Sequence, residues 1–182
     1  MTAVETAELK RRCNPDTQPR CPSADIEETN LGNLVQAVVR QIDPRELIPV
    51  AGGGSGMACQ PRVLLGLLTY HYAAGIFSSQ EIEALVRKDP ILSLLCGQDL
   101  PDGQLIRRFR RYNRAVIHRC LEATLECATR GSASPEASGL AGQDHMALAD
   151  RTRNALEREY CCKDASARIQ WAVNLDHMYL DE

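Results

Sequence analysis

The sequence predicts an all-α protein: a compact multi-helix domain with a helix-turn-helix arrangement, a flexible N-terminal leader and a linked helical tail. Three observations carry that expectation. Apolar residues recur at helical spacing in several separate windows; Pro, Gly and short polar residues sit where helices start and stop; and no run alternates with the period of two that a half-buried strand requires. With 182 residues and 44% apolar side chains, the chain has room for one ordinary domain plus extensions.

Residues 1–28 mix Pro, Thr, Asp, Glu and Cys without periodicity and read as a mobile leader. In the next segment, 29–60, Leu31, Leu34, Val35, Val38, Val39 and Ile42 lie at i, i+3, i+4, i+7, i+8 and i+11, one face of an amphipathic helix that stops at Asp43-Pro44. Asp43 and Glu46 form a capping box around Pro44, which predicts a very short second helix, and AGGGSG (51–56) follows as a flexible link.

The compact domain is expected over 61–128. Pro61 opens a helix that runs to a stop at Gly75, and its apolar residues encircle the axis, which marks it as the buried centre. Ser78 and Glu81 form a second capping box, with Phe77 and Ile82 at the two positions of a hydrophobic staple, so a helix SQEIEALVRK should follow. Asp89-Pro90 is suited to cap a further short helix through ILSLLC to Gly97. Asp102 then reads as the N-cap of one long helix from Gly103 to about Ala128. On that helix Leu105, Ile106, Phe109, Tyr112, Val116, Ile117 and Cys120 gather on one side, while Arg107, Arg111, Arg114 and His118 line the other. Residues 129–143 form a Gly/Ala/Ser/Pro linker. The tail, 144–182, carries a weakly amphipathic stretch (Met146, Ala149, Ala155, Leu156, Tyr160) expected to end around Trp171.

Charge is distributed unevenly: residues 1–60 sum to −2, residues 61–130 to +3 and residues 131–182 to −4. Within the basic middle, RRFRRYNRAVIHR (107–119) holds six arginines and no acid, the segment on which an anionic partner would dock. The eight cysteines and four histidines show no CxxC pair and no zinc-ligand spacing, so the thiols read as buried or idle and no cofactor is expected. No apolar run reaches a membrane span, and the charged start MTAVETAELKRRCNPD does not look like a signal peptide, which points to the cytoplasm and to no membrane partner.

Two successive helices, the second loaded with arginine on its outer face, match a helix-turn-helix whose second helix enters the major groove. Arginine bonds phosphate or the guanine edge bidentately, and Gln104 in the first turn is suited to adenine. Gln104, Arg107, Arg108, Arg111, Arg114 and His118 are therefore the candidate DNA-binding residues, although an isolated arginine stripe reads equally well as a solvated helix face. The stretch 61–113 supplies further signal: PR before an LLxLLxY helix, G-I-x-S-S-x-x-I-E, L-C-G, and P-D-x-x-x-I-x-R-F-R, in that order. It resembles the InsH-type N-terminal domain of insertion-sequence transposases, with departures at Gln60, at Gly66 where the family usually has lysine, and at Gly103-Gln104.

That resemblance implies double-stranded DNA, the terminal inverted repeats of a transposon, as partner, and a position ahead of an RNase-H-like catalytic domain. The catalytic domain needs three spread carboxylates for two metal ions. Asp144-His145-Met146 is the nearest local match to its first acid and reads more simply as a helix cap, so the expectation is a truncated or orphan non-enzymatic module with no catalytic or metal-binding residues. The competing expectation is a protein-interaction module whose helix at 30–42 and tail at 144–160 bury themselves on a full-length transposase or on a second copy.

Overall fold

The structure, a computed structural model, describes residues 28–50, 59–90, 92, 96, 100–132 and 143–180, with side chains described from residue 30 to residue 130 within those spans and from 154 to 177. The described chain is all-α, as the sequence predicts. Six helices are present among these residues: α1 (Glu28–Arg40), α2 (Pro61–Ala73), α3 (Ser79–Lys88), α4 (Gly103–Tyr112), α5 (Arg114–Ser132) and α6 (Gln143–Leu180). A 3-10 turn at Pro44–Glu46 follows α1, with the Asp43 carboxylate accepting from the Arg45 N–H at 2.9 Å. The leader, apart from Glu28, and the Gly-rich link lie outside the described residues. So does most of the expected short helix after Asp89, of which Pro90, Leu92 and Cys96 are helical.

Helix ends form where local chemistry satisfies the orphan backbone groups. Gly75 adopts φ 86°, and the Gly75 and Ile76 N–H groups reach back to the carbonyls of Tyr72 (3.3 Å) and His71 (2.8 Å), closing α2 with a Schellman motif. The Ser78 hydroxyl accepts from the Glu81 N–H at the start of α3, with Phe77 and Ile82 both buried beside it. Asp102 accepts from the Leu105 N–H at 2.6 Å to start α4.

Helix α5 is the organising element, touching α1, α2, α4 and α6, and α2 is buried nearly all round, with Leu64, Leu65, Leu68 and Tyr72 fully enclosed. The apolar face of α1, made of Leu31, Val35, Val38 and Val39, lies in this same core, so that helix is packed by its own chain rather than left for a partner.

Two expectations need correction. The predicted continuous helix from Gly103 to Ala128 is divided at Asn113, and its second half runs on to Ser132, taking in the first residues of the expected linker. Asn113 is buried and its side-chain amide acts as a piece of backbone: Oδ1 accepts from the Ile48 N–H (2.8 Å) and Nδ2 donates to the Ile48 carbonyl (2.9 Å) and to the Phe109 carbonyl (3.2 Å). That pairing competes with helical continuation. The preceding residue, Tyr112, turns outward instead of joining the apolar side.

The second correction concerns the tail. Residues 143–180 form one continuous helix whose C-terminal half is built into the core by a face the apolar pattern does not reveal: Cys161, Ala165, Arg168, Ile169, Ala172 and Asp176 are buried, while Ala155, Leu156 and Tyr160 are exposed. Small residues on that stripe let α6 approach α5 closely. Two of its charged side chains then bind the helix ends on either side of the turn at 74–78. Arg168 donates to the carbonyls of Tyr72 (2.7 Å) and Ala73 (3.1 Å) at the end of α2, and Asp176 accepts from the N–H and hydroxyl of Ser79 at the start of α3. A cation at a helix C-terminus and an anion at an N-terminus both match the helix dipoles.

Candidate nucleic-acid interface

Helix α4 carries the chemistry, and its surroundings decide which of its arginines face outward. Its N-terminus is already satisfied: besides the Asp102 cap, Glu83 of α3 accepts the Gly103 N–H at 2.7 Å while pairing with Arg87. A Cβ at position 103 would come within 3.2–3.3 Å of Arg107 Nη1 and Glu83 Oε2, a tight fit that the flexible ends of those side chains can relieve by shifts of a few tenths of an ångström. At the other glycine departure, Gly66, nothing lies within 4 Å of an added Cβ.

The inner side of α4 holds Arg110. Its guanidinium bonds Tyr72 Oη at 3.0 Å and the Asp176 carboxylate at 2.5 Å, and both members of that ion pair are almost wholly enclosed. Burial, against the opposing pull of Arg110, pushes the Tyr72 phenol above its ordinary value, so it stays neutral and accepts from the arginine. Arg110 is therefore a structural cation, one of the six arginines in the basic segment but with its charge already paired by Asp176.

The outer side divides the six candidate residues. Gln104, Arg108 and Arg111 lie at i, i+4 and i+7 and are exposed on one face. Arg107, Arg111 and Arg114 rim a cleft of about 200 Å³ between α4 and the end of α6, where Val173 and His177 complete the wall and the Arg110–Asp176 pair forms part of the lining. Neither Arg107 nor Arg111 is engaged in an ion pair within 4 Å among the described residues. Arg114 donates to Gln170 Oε1 at 3.1 Å, and His118 turns away from the others toward α6, with Nε2 at 2.8 Å from Ser166 Oγ. The expected straight stripe of Arg107, Arg111, Arg114 and His118 is thus bent by the break at Asn113 and partly overlain by the tail helix. Sequence reasoning missed His177 and Val173, because nothing in the tail signals that it returns to this face.

Burial quiets two of the described thiols, Cys120 and Cys161, by raising both above their ordinary value. Cys59, Cys96, Cys120 and Cys161 are buried; desolvation raises the Cys120 thiol to about 11, whereas a hydrogen bond with Cys59 lowers that of Cys96. Among the described residues, one group of potential metal ligands converges, His118, Glu122 and Cys162; no set of three carboxylates does. No helix among the described residues is long and apolar enough to cross a membrane.

These features define a class: an all-helical domain that buries Arg110 and Arg168 as structural cations and presents Arg107, Arg111 and Arg114 along one cleft. Comparison with known families is specific. Residues 25–112 match the family described as Transposase domain (DUF772), which is consistent with the N-terminal region of an insertion-sequence transposase. The match begins ahead of the stretch that carries the sequence resemblance and takes in α1, consistent with the packing of that helix against α2 and α5. Neither curated proteins nor solved structures gave a match to the chain.

Proposed function

We propose that this transposase-related chain is a DNA-binding module, and that it holds the sugar-phosphate backbone of a transposon end along the outer side of α4. The observation that carries the reading is the convergence of Arg107, Arg111 and Arg114 on one open cleft, while the neighbouring Arg110 is neutralised inside by Asp176. Three guanidinium groups at such spacing suit phosphate oxygens, which arginine binds bidentately. In this reading α3 and α4 serve as the helix-turn-helix pair, and Gln104 and Arg108, exposed with Arg111, are the side chains closest in role to base readers. His118 is withdrawn from the interface by its bond to Ser166. The module acts by holding DNA, and with Mg²⁺ or Mn²⁺ the 182-residue chain is expected to leave transposon-end DNA uncut.

The test is a salt titration of binding to terminal-repeat DNA. With three to five phosphates engaged, log K should fall against log salt with a slope on the order of −3 to −4, and each arginine neutralised should reduce that slope by roughly 0.9. A triple Arg107→Ala, Arg111→Ala, Arg114→Ala protein with native circular dichroism should bind weakly and with a shallower slope. Unchanged affinity and slope would identify these arginines as a solvated helix face.

A protein-interaction reading has its own support. Leu156 and Tyr160, one helical turn apart on α6, are 61% and 68% exposed on a stretch that is otherwise polar. An apolar pair at that spacing suits a helix from a second copy or from a full-length transposase. Light scattering of the protein with and without Leu156→Glu and Tyr160→Glu checks self-association directly.

A further inference from the structure

Away from the arginine cleft, three metal-ligating side chains converge where α5 meets α6. His118 and Glu122 stand one turn apart on α5, Cys162 reaches them from α6, and one ligand atom from each lies within 4.8 Å of the other two. We propose that His118 Nδ1, a Glu122 carboxylate oxygen and Cys162 Sγ bind a transition-metal ion of the zinc class, with water as the fourth ligand.

The donor set selects the metal. Imidazole, thiolate and carboxylate together suit zinc and its borderline neighbours, whereas magnesium and calcium take oxygen ligands. Bonds of about 2.0–2.3 Å place tetrahedral ligands roughly 3.3–3.8 Å apart, so closing on an ion requires movements on the order of an ångström from three half-buried side chains. His118 Nδ1 and Glu122 Oε2 are already 3.6 Å apart.

The imidazole is also held in the orientation a ligand needs. Its Nε2 lies 2.8 Å from Ser166 Oγ and 3.3 Å from the Cys162 carbonyl oxygen, an acceptor that fixes the proton on Nε2. The lone pair of Nδ1 then faces the Glu122 carboxylate. Both are lone-pair donors aimed at the same space, the arrangement a metal ion between them would use. A metal also engages the third group, Cys162, whose thiol proton passes to solvent as the thiolate coordinates. Cys161 cannot substitute, because it points into the core. The sequence conceals this site, since Cys162 lies 44 residues from His118 and on a different helix, with no local zinc-finger spacing. Filling it would pin α6 to α5 on the helix that also carries Asp176 and His177 to the arginine cleft.

Cobalt(II) is the probe. The full chain, stripped with a chelator and kept reduced with a thiol-free reductant, should take up one equivalent, giving a sulfur-to-cobalt charge-transfer band in the near ultraviolet and the intense visible bands of four-coordinate cobalt, both removed by zinc. Cys162→Ser should abolish the charge-transfer band, Glu122→Gln and His118→Ala should each weaken binding at least tenfold, and Cys127→Ser, on an exposed thiol of the same helix pair, should leave it intact. Zinc should raise the Tm of the parent protein but not of Glu122→Gln, a readout that stands even if the cysteine or histidine variant folds poorly. Absence of a band at one equivalent, a band that persists in Cys162→Ser, or equal zinc stabilisation of parent and Glu122→Gln would overturn the site.

Discussion

The two sides of α4 use the same residue for opposite purposes. On the inner side Arg110 is locked between Tyr72 and Asp176; on the outer side Arg111, the next residue, is exposed at the rim of the cleft. Arg168 of α6 belongs with the inner kind, bonded to two carbonyls and to Asp164 with none of its side chain exposed. Adjacent positions on a helix are about 100° apart, enough to send one guanidinium into the core and its neighbour into solvent. The lesson is that a count of arginines overstates the charge available to a partner.

Removing one member of the inner pair should have the largest effect on stability. Asp176→Ala strands Arg110 as an uncompensated buried charge and removes the acceptor for Ser79, so it should cost about 3–5 kcal/mol, or roughly 6–20 °C in Tm for a chain of this size. Arg110→Ala should do similar damage, while the double substitution Arg110→Met with Asp176→Leu should restore a good part of it, because no charge is then left unpaired. A double variant as unstable as the sum of the singles would show that the contact is not a mutually compensating pair.

The break between α4 and α5 ranks next. Asn113→Ala leaves the Ile48 N–H and carbonyl without their partner in a part-buried setting, and urea unfolding should register a loss of about 1–3 kcal/mol. Because the break bends the arginine row, this variant should also lower DNA affinity although no arginine has changed.

His71 offers a smaller, pH-dependent effect. Desolvation holds its imidazole below the ordinary value of 6.5 despite the opposing bond from Nδ1 to the Leu67 carbonyl at 2.7 Å. The unfolded chain therefore takes up a proton near the ordinary value while the folded chain resists it. Stability should be level above that pH and fall as pH drops below it, until the folded imidazole also titrates. Replacing His71 with Gln, which keeps a donor for Leu67, should flatten this component of the urea midpoint against pH; an identical profile would locate the titration elsewhere. Smallest of all is the outer control: Arg111→Ala should change stability by no more than about 0.5 kcal/mol, in contrast to Arg110→Ala one position away.

What the sequence determined by itself is the all-α class and nearly every helix start in the compact region. Capping residues, prolines and the 3.6-residue apolar period act over one or two turns, so Ser78, Asp102, Pro61 and Gly75 announce their structures without reference to the rest of the chain. The basic segment was legible for the same reason, as was the transposase resemblance, which rests on residues in a fixed linear order.

Tertiary structure alone decided which arginines face outward, where the long helix breaks and what the tail does. Each of those outcomes depends on a partner remote in sequence: Asp176 lies 66 residues from Arg110, Ile48 lies 65 from Asn113, and Tyr72 lies 96 from Arg168. The buried stripe of α6 escaped the apolar pattern because alanine, cysteine and paired charges surround Ile169 on it. A charged residue becomes a core residue only when the fold delivers its counter-charge or the end of another helix, and no local window of sequence contains both halves of such a contact.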